Sequence, residues 1–221
     1  MEREIVGEIT INGVRIEHLG HASFRISFEE QSLYIDPFVK PEDARKSELI
    51  LATHEHFDHC HEENIRELLE DGGTVVVPDG CANMLEGLEA KIVEAGDEFD
   101  IDNIAIRVVP AYNVNKFREP GKPFHPKGLG VGYLITINKV AIYHAGDTDF
   151  IPEMKTLGKI DVALLPIGGH FTMDYKEAAA AANVIKPKIV VPMHYSSNDK
   201  IKANPEDFKK LVDKTIKVEI I

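Results

Sequence analysis

Short apolar runs and polar turns alternate along this chain at the spacing of strands, with helical periodicity entering only in places. Residues 8–11 and 14–19 flank Asn12-Gly13, the two-residue signal of a tight hairpin. Residues 23–28 and 32–35 make a second pair around Glu29-Glu30-Gln31. In all four, apolar and polar positions alternate, which predicts one face toward a core and one toward water. Residues 49–52 are a continuous apolar run, the pattern of a buried strand, which is expected to run on to Thr53. Over residues 62–70 the period lengthens, and Ile65, Leu68 and Leu69 share a helical face. Asp71-Gly72-Gly73 ends that helix, and β-branched residues 74–77 predict a strand stopped by Pro78. A short helix is expected over 82–88, with strands at 91–93 and 104–109.

The second half follows the same general plan without a sequence repeat. Residues 131–137 and 140–144 predict a hairpin around Asn138-Lys139, and 162–166 a further strand. A helix of about a dozen residues follows, capped by Asp174 with Glu177 three positions on. Its run 178–182 is all alanine, which favours helix and close packing. Pro187 ends it, and residues 189–191 form a strand broken by Pro192. Asn204-Pro205-Glu206-Asp207 reads as an N-cap, a first-turn proline and first-turn acids, and residues 216–221 as a last strand. With no linker or composition break, residues 1–221 are expected to form a single α/β domain, two sheets flanked by helices.

Composition narrows the partners. A net charge of −12 over 221 residues argues against a broad nucleic-acid footprint. No apolar run approaches the roughly 20 residues that span a bilayer. The start, Met1-Glu2-Arg3-Glu4-Ile5, lacks the apolar core of a secretory signal. Two cysteines, Cys60 and Cys81, make no disulfide framework, so a reducing cytoplasm is the expected compartment. Cys60, between His59 and His61, reads either as a soft ligand or as a reduced, half-buried neighbour.

The chemistry concentrates just after the buried run, in Thr53-His54-Glu55-His56-Phe57-Asp58-His59. Neutral imidazole and carboxylate are the ligands that zinc and similar cations prefer. In an extended segment His54 and His56 would share a face, with Asp58 and His59 turned toward a second position. A solvated, histidine-rich loop is the alternative. The helical H-E-x-x-H pattern is absent. Two more strand ends deliver ligand types: Gly146-Asp147 after residues 140–144, and His194 after residues 189–191. Alone, each is more commonly structural; together with the cluster they suggest a composite site.

The series His54, His56, Asp58, His59, then Asp147, then His194 resembles the metallo-β-lactamase superfamily. Leu19-Gly20-His21-Ala22-Ser23, Pro166-Ile167-Gly168-Gly169 with Phe171-Thr172-Met173, and Pro192-Met193-His194-Tyr195 narrow the resemblance. They are similar to a branch of metal-dependent hydrolases that includes ascorbate-phosphate lactonase-like proteins and, more remotely, N-acyl-phosphatidylethanolamine phospholipase D. The resemblance implies an αββα sandwich with the site along one edge of two mixed sheets. It implies a first cation on His54 and His56, a second on Asp58, His59 and His194, and Asp147 bridging them. The family's third first-site histidine falls where this chain has Asn113, so either Asn113 or His125, from the loop 116–130, would complete that position. Asp58 and Asp147 would help orient the nucleophile. His21 would contact substrate, donate a proton, or support a ligand carboxylate; His170 and Tyr195 are further substrate contacts. His18, His61 and His144 read as structural, His144 as support for Asp147.

The function expected is hydrolysis of a small ester-like substrate, lactone or phosphodiester, by a metal-activated water. Two zinc ions are the expected cofactors, with manganese, iron or nickel accepting the same ligands. Lys116, Arg118, Lys122 and Lys127 favour a phosphorylated or otherwise anionic substrate. The alternatives are an RNA or nucleotide phosphodiesterase, made less apt by the acidic chain, and a metal-binding protein without catalysis. Oligomeric state is not encoded in any of these patterns.

Overall fold

The computed structural model describes residues 7–196 and 199–221, so the N-terminal stretch read above for a secretory signal lies outside the described residues. Two seven-stranded sheets face each other. The first holds β1 (Gly7–Ile11), β2 (Val14–Gly20), β3 (Ser23–Phe28), β4 (Gln31–Ile35), β5 (Ser47–Leu51), β6 (Leu69–Val77) and β7 (Glu89–Ile92), side by side in chain order. β1 to β4 are antiparallel, and β4 to β7 are parallel. The second holds β8 (Glu98–Ile101), β9 (Ile104–Ala111), β12 (Gly130–Ile137), β13 (Val140–His144), β14 (Val162–Pro166), β15 (Ile189–Met193) and β16 (Lys217–Val218). It too is antiparallel in its first four strands and parallel from β13 to β16. Between β9 and β12 the chain makes a small ribbon, β10 (Phe117–Glu119) against β11 (Lys122–Pro123).

Alternation along the strands builds three layers of contact. Leu33, Ile35, Leu49, Leu51 and Val76 enter the core between the sheets, together with Ile135, Ile142 and Val162 from the second sheet. The intervening Tyr34, Ile50, Val75 and Val77 point the other way, into a second cluster with Ile65 and Leu68 of α1 (Glu62–Leu68). α2 (Asp79–Ala82) adds Cys81 to the same cluster. On the far side, α3 (Tyr175–Ile185) lays Ala178, Ala179, Ala181, Ala182 and Ile185 into the core. Asp174 and Glu177 form the expected capping box. α4 (Pro205–Leu211) starts at the expected Asn204 cap.

Several boundaries differ from the expectation. α1 stops at Leu68, because Leu69 is already paired with Ser47 and begins β6 through Asp71-Gly72-Gly73. The short helix expected over 82–88 lies earlier, at Asp79–Ala82, and continues as a single 3₁₀ turn. β15 runs through Pro192 to Met193, and the last strand is only two residues long. β4 and β5 are covered on both faces, so the one-faced reading fails for β4 because α1 and its cluster pack over Tyr34.

Candidate metal centre

Every candidate residue except His125 sits just past the C-terminal end of a strand, and those strands point the same way in both sheets. β2 leads to His21, β4 to Asp36, β5 to residues 53–59, β9 to Asn113, β13 to Asp147 and β15 to His194. His125 arrives on the loop that follows the β10–β11 ribbon, tied to Asn113 by a backbone hydrogen bond of 2.8 Å. The segment carrying His54 and His56 is not extended, as the shared-face expectation required. It closes into a turn in which the N–H groups of His59 and Cys60 both donate to the carbonyl of His56.

The turn and the distant strand ends converge. His54 Nε2 lies 3.0 Å from His56 Nδ1. His125 Nε2 lies 3.2 Å from the same His56 atom and 3.4 Å from Asp147 Oδ2. On the other side, His194 Nε2 is 3.2 Å from Asp147 Oδ2, and His59 Nε2 is 3.4 Å from Asp147 Oδ1. Asp147 therefore stands between two groups of donors, His54, His56 and His125 on one side and Asp58, His59 and His194 on the other. Its close approach depends on Gly146, whose φ is +63° and where a Cβ would lie 2.6 Å from the Val131 carbonyl.

Asn113 does not offer a free oxygen to a cation. Its amide donates to Asp149 Oδ1 at 3.1 Å and to the Phe171 carbonyl at 2.9 Å. That fixes its Oδ1 as the acceptor for the His125 backbone N–H at 2.7 Å and the His125 Nδ1–H at 3.0 Å. The bare Nε2 of His125 is thereby turned toward His56 and Asp147. Asp149, fully buried, anchors this arrangement by also accepting from the N–H groups of Val114 and Asn115 at 2.7 and 2.8 Å. Of Asn113 and His125, it is His125 whose ring nitrogen lies beside His56 and Asp147, and Asn113 is the group that orients it.

Asp36, one position past the strand expected over 32–35, and Thr53 do the same for His54 and His59. Asp36 Oδ1 accepts the Thr53 N–H at 2.7 Å, and Oδ2 accepts both the Thr53 hydroxyl and His59 Nδ1–H, each at 2.7 Å. Having donated to Asp36, the Thr53 hydroxyl can accept from His54 Nδ1–H at 3.0 Å. One buried carboxylate thus fixes a histidine of each group with its Nε2 facing inward. A buried acid just past a strand end and facing the H-x-H turn was the available signal.

Burial and neighbouring charge set the protonation of the cluster. Burial holds the His54 and His56 pKa below the usual range, and drives that of His125 down to about 4 despite Asp147. His21, buried against His194, is likewise lowered to about 4. Burial opposes a charge on His59, but the carboxylates of Asp147 and Asp36 outweigh it and raise its pKa well above normal. For Asp58, burial is overcome by the His21 contact and nearby His59, and its pKa falls to about 2. Imidazoles held neutral by burial, with His59 as one more donor once a cation displaces its second proton, beside ionised carboxylates are the donor set a divalent cation needs. The fit is supported by buried atoms with no hydrogen-bond partner among the described residues: His59 Nε2, Asp147 Oδ1 and both ring nitrogens of His194.

The remaining histidines separate cleanly. His144 bridges two site loops, its Nε2 donating to the Ala22 carbonyl at 3.0 Å and its Nδ1 accepting the Gly146 N–H at 3.2 Å. His18 contacts the carbonyls of Ile221 and His21, and His61 caps α1. His170 is exposed and packs on Phe124 and Phe171, while Tyr195 is buried. Cys60 is fully buried in the second cluster, not half-buried, and belongs to none of the donor groups. The basic loop is largely neutralised: Lys116 pairs with Glu177, Lys122 with Glu119 and Lys127 with Glu153. Arg118 has no acidic partner among the described residues and lies over the Phe124 ring.

Two sheets in an αββα sandwich, with a buried histidine–carboxylate cluster along one edge, define the class of metal-dependent hydrolases built on this fold. The sequence profile of the Beta-lactamase superfamily domain matches residues 15–194. A UPF0173 metal-dependent hydrolase of Pyrococcus abyssi is 39% identical to this chain, over 94% of it and 96% of the relative. Among solved structures, a protein of Parabacteroides distasonis provisionally described as a metal-dependent hydrolase superposes with a TM-score of 0.85. It is 29% identical and covers 99% of this chain and 98% of its own. Igni18, a metallo hydrolase of Ignicoccus hospitalis, superposes with a TM-score of 0.77 at 29% identity, over 94% of each chain. The chain belongs to the metallo-β-lactamase superfamily, among its metal-dependent hydrolases.

Proposed function

We propose that this protein hydrolyses a small ester-like substrate, a lactone or a phosphodiester, at two divalent cation positions. His54, His56 and His125 would hold one cation, Asp58, His59 and His194 the other, with Asp147 between them. The observation that carries this reading is the convergence of these seven side chains, from four separate loops, around buried atoms of His59, Asp147 and His194 that have no hydrogen-bond partner among the described residues.

Cations in these positions would lower the pKa of a water toward about 7 and polarise the scissile carbonyl or phosphoryl oxygen. The chain's own residues supply the geometry. Asp36 and Thr53 keep His54 and His59 in one tautomer, and Asn113, anchored on Asp149, does so for His125. Asp147 and Asp58, both held ionised, balance the cationic charge and orient the nucleophile. Exposed Phe57, edge-on to Phe38, gives the rim an apolar contact for substrate. Arg118 is the cation left to meet an anionic group. The imidazole-rich set suits zinc, and iron, nickel or manganese accept it as well. The two buried thiols accord with a reducing, cytoplasmic setting.

A panel of esters, lactones and phosphodiesters, neutral and phosphorylated, tests the proposal on protein reloaded with each metal. Hydrolysis of at least one class, lost on chelation and in Asp58→Ala, is expected. Activity and metal content in Asp58→Ala equal to wild type would overturn it. Equal turnover of neutral and phosphorylated lactones would remove the preference for anions. Binding of RNA that weakens steeply with salt would favour a nuclease instead.

A further inference from the structure

His21 is placed as the other metal-facing histidines are. Its ring is 2% exposed, and its backbone has the left-handed φ of +55°, an uncommon state for histidine. His194, also left-handed at +55°, donates its N–H to the His21 carbonyl at 2.7 Å, so the two strand ends are locked to each other. The His21 ring then lies 4.1 Å from that of His194 and 5.4 Å from that of His59, centroid to centroid.

Its Nε2 is 3.1 Å from Asp58 Oδ2, and the donor atoms of His21, Asp58, His59 and His194 all lie within 4.8 Å of one another. Two donors each about 2.1 Å from one cation stand roughly 3.4 Å apart in a tetrahedron and at most about 4.2 Å apart across it. The His21–Asp58 separation matches the 3.0 and 3.2 Å between donors of the first group. A histidine that merely propped Asp58 from behind would need to reach that carboxylate alone. His21 instead has its donor nitrogen 3.1 Å from Asp58 and within 4.8 Å of the donor atoms of His59 and His194 as well.

We propose, building on the two-cation reading above, that His21 is itself a ligand, through Nε2, of the cation position formed by Asp58, His59 and His194. With Asp147, that position has three imidazoles and two carboxylates, against three imidazoles and one carboxylate for the first. The positions are then unequal. The first matches the four-coordinate geometry usual for zinc, and the second suits an ion that accepts five or six donors. The second position would hold its ion more tightly.

Cobalt(II) titration of the metal-free protein, followed by visible absorption and by competition with a chromophoric chelator, reads both positions separately from activity. Wild type should bind two cobalt ions, the tighter with the weak absorption of five or six donors and the other with the stronger absorption of four. His21→Asn, chosen because asparagine tolerates a left-handed backbone, should weaken the tighter position at least tenfold and change its absorption, leaving the other unchanged. Identical affinities and spectra in the two proteins would overturn the role of His21 while leaving the two-cation reading standing. Failure of wild type to bind cobalt would overturn both. If His21→Asn does not fold by circular dichroism, a metal-loaded wild-type crystal structure decides: His21 Nε2 about 2.0–2.2 Å from the ion is expected, and a water or another residue in that place would refute it.

Discussion

Replacing Asp36 with asparagine isolates the contribution of a residue that would touch no metal or substrate. The carboxylate accepts three hydrogen bonds of 2.7 Å: from the Thr53 N–H, the Thr53 hydroxyl and His59 Nδ1–H. Asparagine keeps the shape but has one acceptor and one donor end. With its oxygen toward His59 and the Thr53 hydroxyl, its NH₂ meets the Thr53 N–H; flipped, it confronts His59 Nδ1–H. Either orientation leaves at least one buried donor unsatisfied, at a cost of about 1–3 kcal/mol. In a domain of this size each kcal/mol shifts Tm by about 2–4 °C, so the metal-free variant should melt roughly 2–12 °C lower. Because Asp36 orients a histidine of each group, the affinities of both positions should fall, by about 10–100-fold as for lost outer-sphere partners elsewhere. Differential scanning calorimetry with and without metal, and chelator competition, measure the two effects. A variant with wild-type Tm and unchanged affinity in both positions would show that the Asp36 hydrogen bonds do not organise the centre.

Three further substitutions test other parts of the structure. Asn113→Ala removes the acceptor that fixes His125, so the first position alone should weaken by about 10–100-fold in a metal titration. Gly146→Ala places a Cβ against the Val131 carbonyl at a left-handed position; a loss of roughly 1–3 kcal/mol or more in denaturant unfolding and loss of hydrolysis are expected. Asp161, opposed by burial, is held below its ordinary pKa by the Ala141 N–H and Lys188. Its stabilisation is present above about pH 3.9 and lost as the pH falls through its lowered value. Asp161→Asn should therefore be less stable than wild type at pH 7, with the gap closing below about pH 4 in urea melts.

The contiguous part of the candidate centre was legible because four of its side chains fall within six positions of one turn, and because strand ends announced Asp147 and His194. The two-sheet plan followed from strands in groups, and the similarity of the two halves reappears as the same antiparallel-then-parallel order in both sheets. What stayed hidden depends on contacts between distant segments. Asn113 and His125 could not be told apart, since what orients them is a hydrogen bond from Asn113 to Asp149, 36 residues away. Asp36 carried no signal of its own because its partners, Thr53 and His59, lie 17 and 23 residues on. Strand β8 and the β10–β11 ribbon went unread: β8 alternates but runs for only four residues, and the ribbon strands are shorter still and mostly polar. How far the basic loop is neutralised could not be read from composition, because its lysines meet acids from α3, the ribbon and the 3₁₀ turn at Pro152–Thr156.

The two-cation centre is tested most directly by anomalous diffraction from metal-loaded crystals, which locates each ion and its ligands. Two ions on either side of Asp147 are predicted, one against His54, His56 and His125 and one against Asp58, His59 and His194. A single ion, or ions bound away from Asp147 with His125 turned aside, would contradict it.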